Sequence, residues 1–268
     1  MKNILKAPFM TEMIRTVANM YRLGWDERNA GNISFLIDGK DIPKNLKGNK
    51  IRSFPTNFDA SLLAGKYFLV TGTGKYFKNV EYEPDVNLGI VRISADGKSA
   101  QLVWGFSDGG SPTSEFSVHL MCHIARLKTN PSNKIIMHAH PVHLIAMTYC
   151  HSIEEKDFTR TLWQMCIEGI LVFPEGIAVL PWMLCGTNEI ARSTAEKMND
   201  YRLVVWAQHG IFGAGNNFDE AFGLIETAEK AAQTHILTMN QKRAVTTDSQ
   251  IIALADKWNV KYRKDWLQ

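Results

Sequence analysis

The chain has 268 residues, 45% apolar and 21% charged, a globular composition long enough to bury a core without disulfides or structural metal. Its net charge of +3 comes without any cluster of Lys or Arg interleaved with aromatics, which excludes a nucleic-acid-binding stripe, while the mild positive bias suits an anionic small substrate. No apolar run reaches about 18 residues, no signal-peptide-like stretch follows the first lysines, and Cys122, Cys150, Cys166 and Cys185 include no CxxC pair, so the expectation is a cytoplasmic protein with reduced thiols and no membrane span.

Met10, Met13, Ile14, Val17 and Tyr21 recur on one helical face, which predicts a helix over 9–23 stopped by Gly24. Asn32–Ile37 reads as a strand ending at Asp38-Gly39, a hairpin-type turn. Residues 40–65 read as a long polar connection or an inserted flap. Tyr67–Thr71 is a short apolar strand running into the glycine loop Gly72-Thr73-Gly74-Lys75. Segments 88–94 and 100–104 form a predicted hairpin around Asp96-Gly97. Thr113 or Ser114 can cap a helix to about Leu127. A strand over 134–140 is followed by helices over 141–150 and 156–167. Short strands are expected at 170–173 and 177–180, joined by the turn Pro174-Glu175-Gly176. Thr187 can cap a helix to about Met198, Leu203–Trp206 is a strand, 218–237 a long helix, and a last helix starts near Ser249. The tight turns favour antiparallel pairing, because parallel strands need longer crossovers. The expected fold class is therefore α/β, a three-layer α/β/α arrangement with a central, mostly antiparallel sheet. One domain over 1–268 is expected, in which 1–65 is a candidate subdomain or oligomer contact.

The sharpest chemical feature is His138-Ala139-His140 at the end of a predicted strand. Side chains two apart on a strand share a face, so both imidazoles can approach one ion at the rim of the sheet. Zinc takes imidazole nitrogens readily, and a catalytic site needs about three protein ligands and an open position. Chance supplies a His-x-His pair in about one of four chains with this histidine content, so spacing alone leaves two polar residues at a strand end as the alternative. His209, after an apolar strand and before Gly210, can meet the pair at the same rim; the alternative is a surface histidine at a turn. His119 and His123 are an i, i+4 pair on a predicted helix that could also bind zinc, but no glutamate lies between them as in HExxH. Glu115 falls in the first turn of that helix, where it could bind metal at rest and act as a base, or simply favour the helix dipole.

At these residues the sequence resembles a known family. Trp25-Asp26-Glu27-Arg28-Asn29-Ala30-Gly31-Asn32, Val70-Thr71-Gly72-Thr73-Gly74-Lys75-Tyr76-Phe77, Pro112-Thr113-Ser114-Glu115, His138-Ala139-His140 and Gln208-His209-Gly210 occur in the order found in class II aldolases of the fuculose and rhamnulose phosphate type. Thr159-Arg160-Thr161-Leu162-Trp163, Phe173-Pro174-Glu175-Gly176, Leu180-Pro181-Trp182-Met183 and the segment 224–230 resemble the rhamnulose phosphate branch. The match runs from the first helix to about residue 240. The resemblance implies Zn2+, one per subunit, held by His138, His140 and His209, with Glu115 as the acid–base residue. It implies cleavage of L-rhamnulose 1-phosphate, a phosphorylated ketose, to dihydroxyacetone phosphate and L-lactaldehyde in a cytoplasmic homotetramer. Sister activities on the same fold are a fuculose phosphate aldolase and a pentulose phosphate 4-epimerase, and a non-enzymatic scaffold would have no need of these ligands. Ala30 stands where the family usually has Gly, and Thr73 where it usually has Ser, so a hydroxyl is retained.

The chemistry such an enzyme performs calls for these groups. Cleavage leaves negative charge on the triose phosphate fragment, which a Lewis-acidic ion stabilises. The other device is a Schiff-base lysine, for which Lys75 is the only lysine in a candidate site loop, and the metal set makes it unnecessary. Glu168 is a candidate second carboxylate on the strength of the resemblance, from its own or a neighbouring subunit, against a surface glutamate after a helix. For the phosphate, Asn29, Gly31 and Asn32 form one small polar loop and Thr73, Gly74 and Lys75 another, while Thr113 and Ser114 add hydroxyls and helix N-terminal amides. Each loop alone also reads as an ordinary turn.

Overall fold

The computed structural model describes residues 4–241 and 244–267; the first three residues of the lysine-bearing N-terminus lie outside it, as do 242–243 and 268. Along the chain run α1 (Pro8–Leu23), β1 (Asn32–Ile37), β2 (Arg52–Pro55), β3 (Tyr67–Thr71), α2 (Pro84–Asn87), β4 (Leu88–Ile93), β5 (Ser99–Gly105) and α3 (Phe116–Thr129). Then come β6 (Ile135–Ala139), α4 (Val142–Cys150), α5 (Glu155–Met165), α6 (Gly169–Val172), β7 (Ala178–Leu180), α7 (Asn188–Lys197), β8 (Leu203–Trp206), β9 (Gly210–Gly215), α8 (Phe218–Thr238) and α9 (Asp248–Lys257).

The strands make one sheet in the order β2-β5-β4-β3-β1-β6-β9-β8-β7. Among the described residues only β7–β8 is parallel, so the mostly antiparallel expectation holds. Strand alternation then assigns two faces. Phe35 of β1 lies between Phe9 of α1 and Phe218 of α8, with ring centroids 5.8 and 5.4 Å away. On the opposite face Phe68 of β3 meets Phe116 of α3 at 6.4 Å, and α7 packs against α3. Helices therefore cover both faces, as expected, and each buries apolar side chains that would otherwise sit in water.

Four local expectations change. Asp38-Gly39 turns the chain but makes no hairpin, because β1 is flanked by β3 and β6 in the middle of the sheet. The segment 40–65 is not wholly irregular: β2 pairs with β5 as an edge strand, and its alternating half-buried and exposed residues end at Pro55, which an edge tolerates. Residues 170–173 fall on the short helix α6 and the residue that ends it, not on a strand; a short apolar run fits either when buried. The strand β9 was unpredicted because Gly-Ile-Phe-Gly-Ala-Gly lacks a strand composition. Its glycines make room for α8: a Cβ on Gly213 would lie 3.0 Å from Ile225, and one on Gly215 2.6 Å from the Ala221 nitrogen.

Candidate active site

Antiparallel order brings the start of β1, the end of β3, the end of β6 and the β8–β9 turn to one rim, and the sequence-predicted residues gather there. His138 is the fourth residue of β6 and pairs across the sheet with Asn32, the first of β1. His140 sits just past β6, with its backbone N–H on the Trp25 carbonyl at 2.8 Å. His209 does not end β8 itself; it lies in the three-residue turn between β8 and β9, which Gln208 enters with φ of 65°. Gly210 follows because a Cβ there would stand 2.5 Å from the Ala139 oxygen and 2.8–3.0 Å from the His140 and His138 rings.

One ligand atom from each of His138, His140 and His209 lies within 4.8 Å of the other two. The hydrogen bonds settle which nitrogens of the strand pair are free. His138 donates from Nδ1 to the Ile211 carbonyl at 3.0 Å. His140 donates from Nδ1 to the Glu27 carboxylate at 2.9 Å. A neutral imidazole has one N–H, so in the neutral form of both rings, the form that binds a metal, the Nε2 atoms present lone pairs to each other at 3.1 Å. Two lone pairs so placed repel unless a cation lies between them. Burial and the neighbouring His140 and His209 disfavour a proton on His138, pushing its pKa well below its usual range. Burial and His140 likewise lower His209 to about 4. Neutral imidazoles with converging lone pairs fit a soft-to-borderline divalent cation such as zinc.

Glu115 brings its Oε2 within 3.7 Å of His138 Nε2. It is the residue that precedes α3 rather than part of its first turn, and neither Thr113 nor Ser114 caps the helix. The Thr113 hydroxyl instead accepts the Glu115 backbone N–H at 3.3 Å. Glu115 is 9% exposed. Burial raises its pKa, while an N–H from Asn32 at 2.8 Å and the nearby His140 oppose that rise. The result is a carboxylate kept basic beside the histidine cluster but not left without a donor.

The loops named for phosphate are stitched together beside it. Thr73 N–H bonds to the Ser111 carbonyl at 2.9 Å, Thr113 N–H to the Thr71 carbonyl at 2.9 Å, and Gly72 bridges to Pro112. Gly31 passes close to His138, since a Cβ there would lie 3.3 Å from the His138 oxygen. Asn29, Thr73, Gly74 and Ser114 are exposed, while Asn32 and Thr113 are buried. Lys75 is paired with Asp108 across this loop, so its ammonium has a carboxylate partner instead of the apolar surroundings an amine nucleophile needs. Glu168 is exposed, precedes α6, and makes no side-chain hydrogen bond or ion pair among the described residues.

The segment around Trp25 also carries two carboxylates, Asp26 and Glu27. Glu27 orients His140, as just described. Asp26 is 3% exposed with no hydrogen-bond partner for either oxygen among the described residues, and burial, aided by Glu27, raises its pKa to about 7. A Glu-His pairing could not be read from spacing, because the partners lie 113 residues apart.

Residues 11–236 match the family described as Class II Aldolase and Adducin N-terminal domain, and the chain belongs to that family. Over 270 aligned residues it is 54% identical to a protein of Listeria monocytogenes serotype 4a named rhamnulose-1-phosphate aldolase, covering 99% of this chain and 98% of that one. A protein of the same name from Enterococcus faecalis is 51% identical, with 99% and 96% covered. Among solved structures, a sugar-phosphate aldolase from Thermotoga maritima superposes with a TM-score of 0.75 at 29% identity, covering 87% of this chain and 95% of that one.

Proposed function

We propose that this chain is a zinc-dependent aldolase that reversibly cleaves L-rhamnulose 1-phosphate to dihydroxyacetone phosphate and L-lactaldehyde. The observation that carries the reading is the pair of bare Nε2 atoms facing each other at 3.1 Å, with His209 beside them. The names of the relatives at 54% and 51% identity support the choice of sugar. A zinc ion held by His138, His140 and His209 would supply positive charge for the electron pair released when the carbon–carbon bond breaks.

The chain's own residues do the rest. In the synthetic direction Glu115 takes a proton from the hydroxyl-bearing carbon of dihydroxyacetone phosphate; in cleavage it returns that proton to the same carbon. Its burial raises its basicity for the first task. Asn29, Gly31, Thr73, Gly74, Lys75, Thr113 and Ser114 hold the phosphate through hydroxyls, amides and charge, while the amide of Asn32, grouped with them from the sequence, is engaged with Glu115 instead. Proton transfer at the hydroxyl next to the breaking bond falls to Glu168, reaching the site of a neighbouring subunit in a homotetramer. Its exposure and its lack of side-chain partners among the described residues leave it free for that.

The test is purified protein assayed on L-rhamnulose, L-fuculose and L-ribulose phosphates, with triose phosphate release and bound metal both measured. Fastest triose release from the rhamnulose phosphate with about one zinc per chain is the expected result. Turnover of the pentulose phosphate without triose release would replace the aldolase reading with an epimerase. Absence of both metal and turnover would point to a binding scaffold.

A further inference from the structure

We propose that Ser34, His119 and His123 form a buried relay that locks the Asn32 amide with its N–H on Glu115, and so positions the general base. The proposal rests on Glu115 acting as that base. The residues come from two elements whose geometry aligns them. Asn32 and Ser34 are two apart on β1 and share the face toward α3; His119 and His123 are one turn apart on α3 and face β1. Ser34, His119 and His123 have no solvent exposure, and Asn32 has 7%.

The contacts form an unbroken chain. Asn32 Nδ2 donates to Glu115 Oε2 at 2.8 Å. Asn32 Oδ1 contacts His119 Nε2. Ser34 Oγ lies 2.8 Å from His119 Nδ1 and 2.8 Å from His123 Nε2. Only one proton arrangement satisfies this chain when Glu115 is ionised. A carboxylate can only accept, so the amide must turn Nδ2 to it and Oδ1 to His119. That oxygen also only accepts, so His119 carries its proton on Nε2 and leaves Nδ1 bare. The Ser34 hydroxyl must then donate to His119, and its oxygen accepts the Nε2 proton of His123. His123 Nδ1 is left bare, and it has no hydrogen-bond partner among the described residues. Each group fixes the next, and no water is needed.

An amide alone is free to turn over, since its oxygen and nitrogen ends have nearly the same shape. Turned over, Asn32 would present an oxygen to the Glu115 carboxylate, which repels it and moves it off the line of proton transfer. His119 removes that choice by donating to one end only, and Ser34 with His123 holds His119 in the donating tautomer. Ser34, His119 and His123 are positioning residues; none touches the histidine cluster in a hydrogen bond.

The experiment follows the proton-transfer step separately from cleavage. Dihydroxyacetone phosphate deuterated at its hydroxyl-bearing carbon is incubated with zinc-loaded enzyme without aldehyde. The C–D bond breaks, Glu115 takes the deuteron, solvent exchanges it, and a proton returns to the carbon. His119→Leu and Ser34→Ala are expected to slow this washout and kcat for cleavage by about tenfold or more, the range for lost supporting hydrogen bonds around a site. KM for L-rhamnulose 1-phosphate and zinc per chain should stay within about twofold of wild type, because only the base is displaced. His119→Gln places an amide N–H near the position of Nε2 and should recover most of the washout rate. If His119→Leu does not fold, Ser34→Ala carries the same expectation, as it removes one hydroxyl. Unchanged washout in a folded Ser34→Ala or His119→Leu protein overturns the relay, as does a loss that appears in KM or metal content alone, or one that His119→Gln shares in full. Wild-type enzyme that loads zinc but shows neither washout nor cleavage would instead bring down the aldolase reading, and the relay with it.

Discussion

Two histidine pairs lie on the two sides of Asn32, and they do opposite things with the same ring. His138 and His140, two apart at a strand end, give their Nδ1 protons to a backbone carbonyl and to Glu27, which turns their Nε2 lone pairs inward toward His209. His119 and His123, one turn apart on a helix, have the Ser34 hydroxyl between them, which uses a lone pair of one and an N–H of the other. The first pair has converging lone pairs and nothing to share them with. The second keeps only one bare nitrogen, His123 Nδ1, because the other three are taken by Ser34 and Asn32. Spacing permits a metal in both places; what occupies the remaining nitrogens decides between them.

The comparison breaks first at His138. His138→Ala should reduce zinc to a small fraction per chain and activity to background, measured by elemental analysis and triose phosphate release. A variant that keeps one zinc per chain would mean that this pair is not the ligand set. Glu115→Ala comes next. It should keep its zinc and lose turnover by ~10²–10⁴, the contribution of a positioned general base; wild-type rates would remove Glu115 from the mechanism. A smaller effect is expected at Glu27, the partner of His140. Glu27→Ala should weaken zinc binding about tenfold in competition with a chelator, at the low end for such outer partners because Glu27 is largely exposed. Unchanged affinity would show that the backbone alone orients His140.

The sheet and the three-histidine cluster were legible because both depend on short-range patterns. Apolar runs such as Tyr67–Thr71 and Leu203–Trp206 are rich in β-branched and aromatic residues, which suits buried strands between turns, and the strand that carries His138 sets it and His140 on one side. The strand β9 was hidden because its glycines answer to α8, a packing constraint absent from its own residues. The relay was hidden for a related reason: Ser34 and His119 lie 85 residues apart and meet only because β1 is inserted beside β6, under α3. Read alone, His119 and His123 offered a second metal pair. The serine between them could be found only from the fold.

The smallest effect separates the two pairs by pH. Burial lowers His119 from 6.5 to about 3 and pushes His123 well below its usual range, so both stay neutral in the native chain. Between about pH 6.5 and 3 the unfolded chain binds a proton at position 119 that the folded chain refuses. Folding stability must therefore fall as pH falls through this window, by up to about 1.4 kcal/mol per pH unit for each such histidine. Asp26, raised to about 7 from 3.8, contributes the opposite slope between those values. The proper measure is thus a difference: denaturant midpoints of wild type and His119→Gln from pH 7 to 4.5, at equal zinc loading. Asp26 and His209 contribute equally to both proteins and cancel, while His123 and His138 are held neutral in both chiefly by burial, of which the charge at position 119 is a smaller part. The wild type should lose about one proton's worth of stability per pH unit more than the variant below pH 6. Parallel curves would mean that His119 takes up a proton without unfolding. A doubly protonated ring cannot accept from Ser34, so that result would also deny the contrast between a pair of histidines that shares its nitrogens with a hydroxyl and a pair that leaves them bare for a cation.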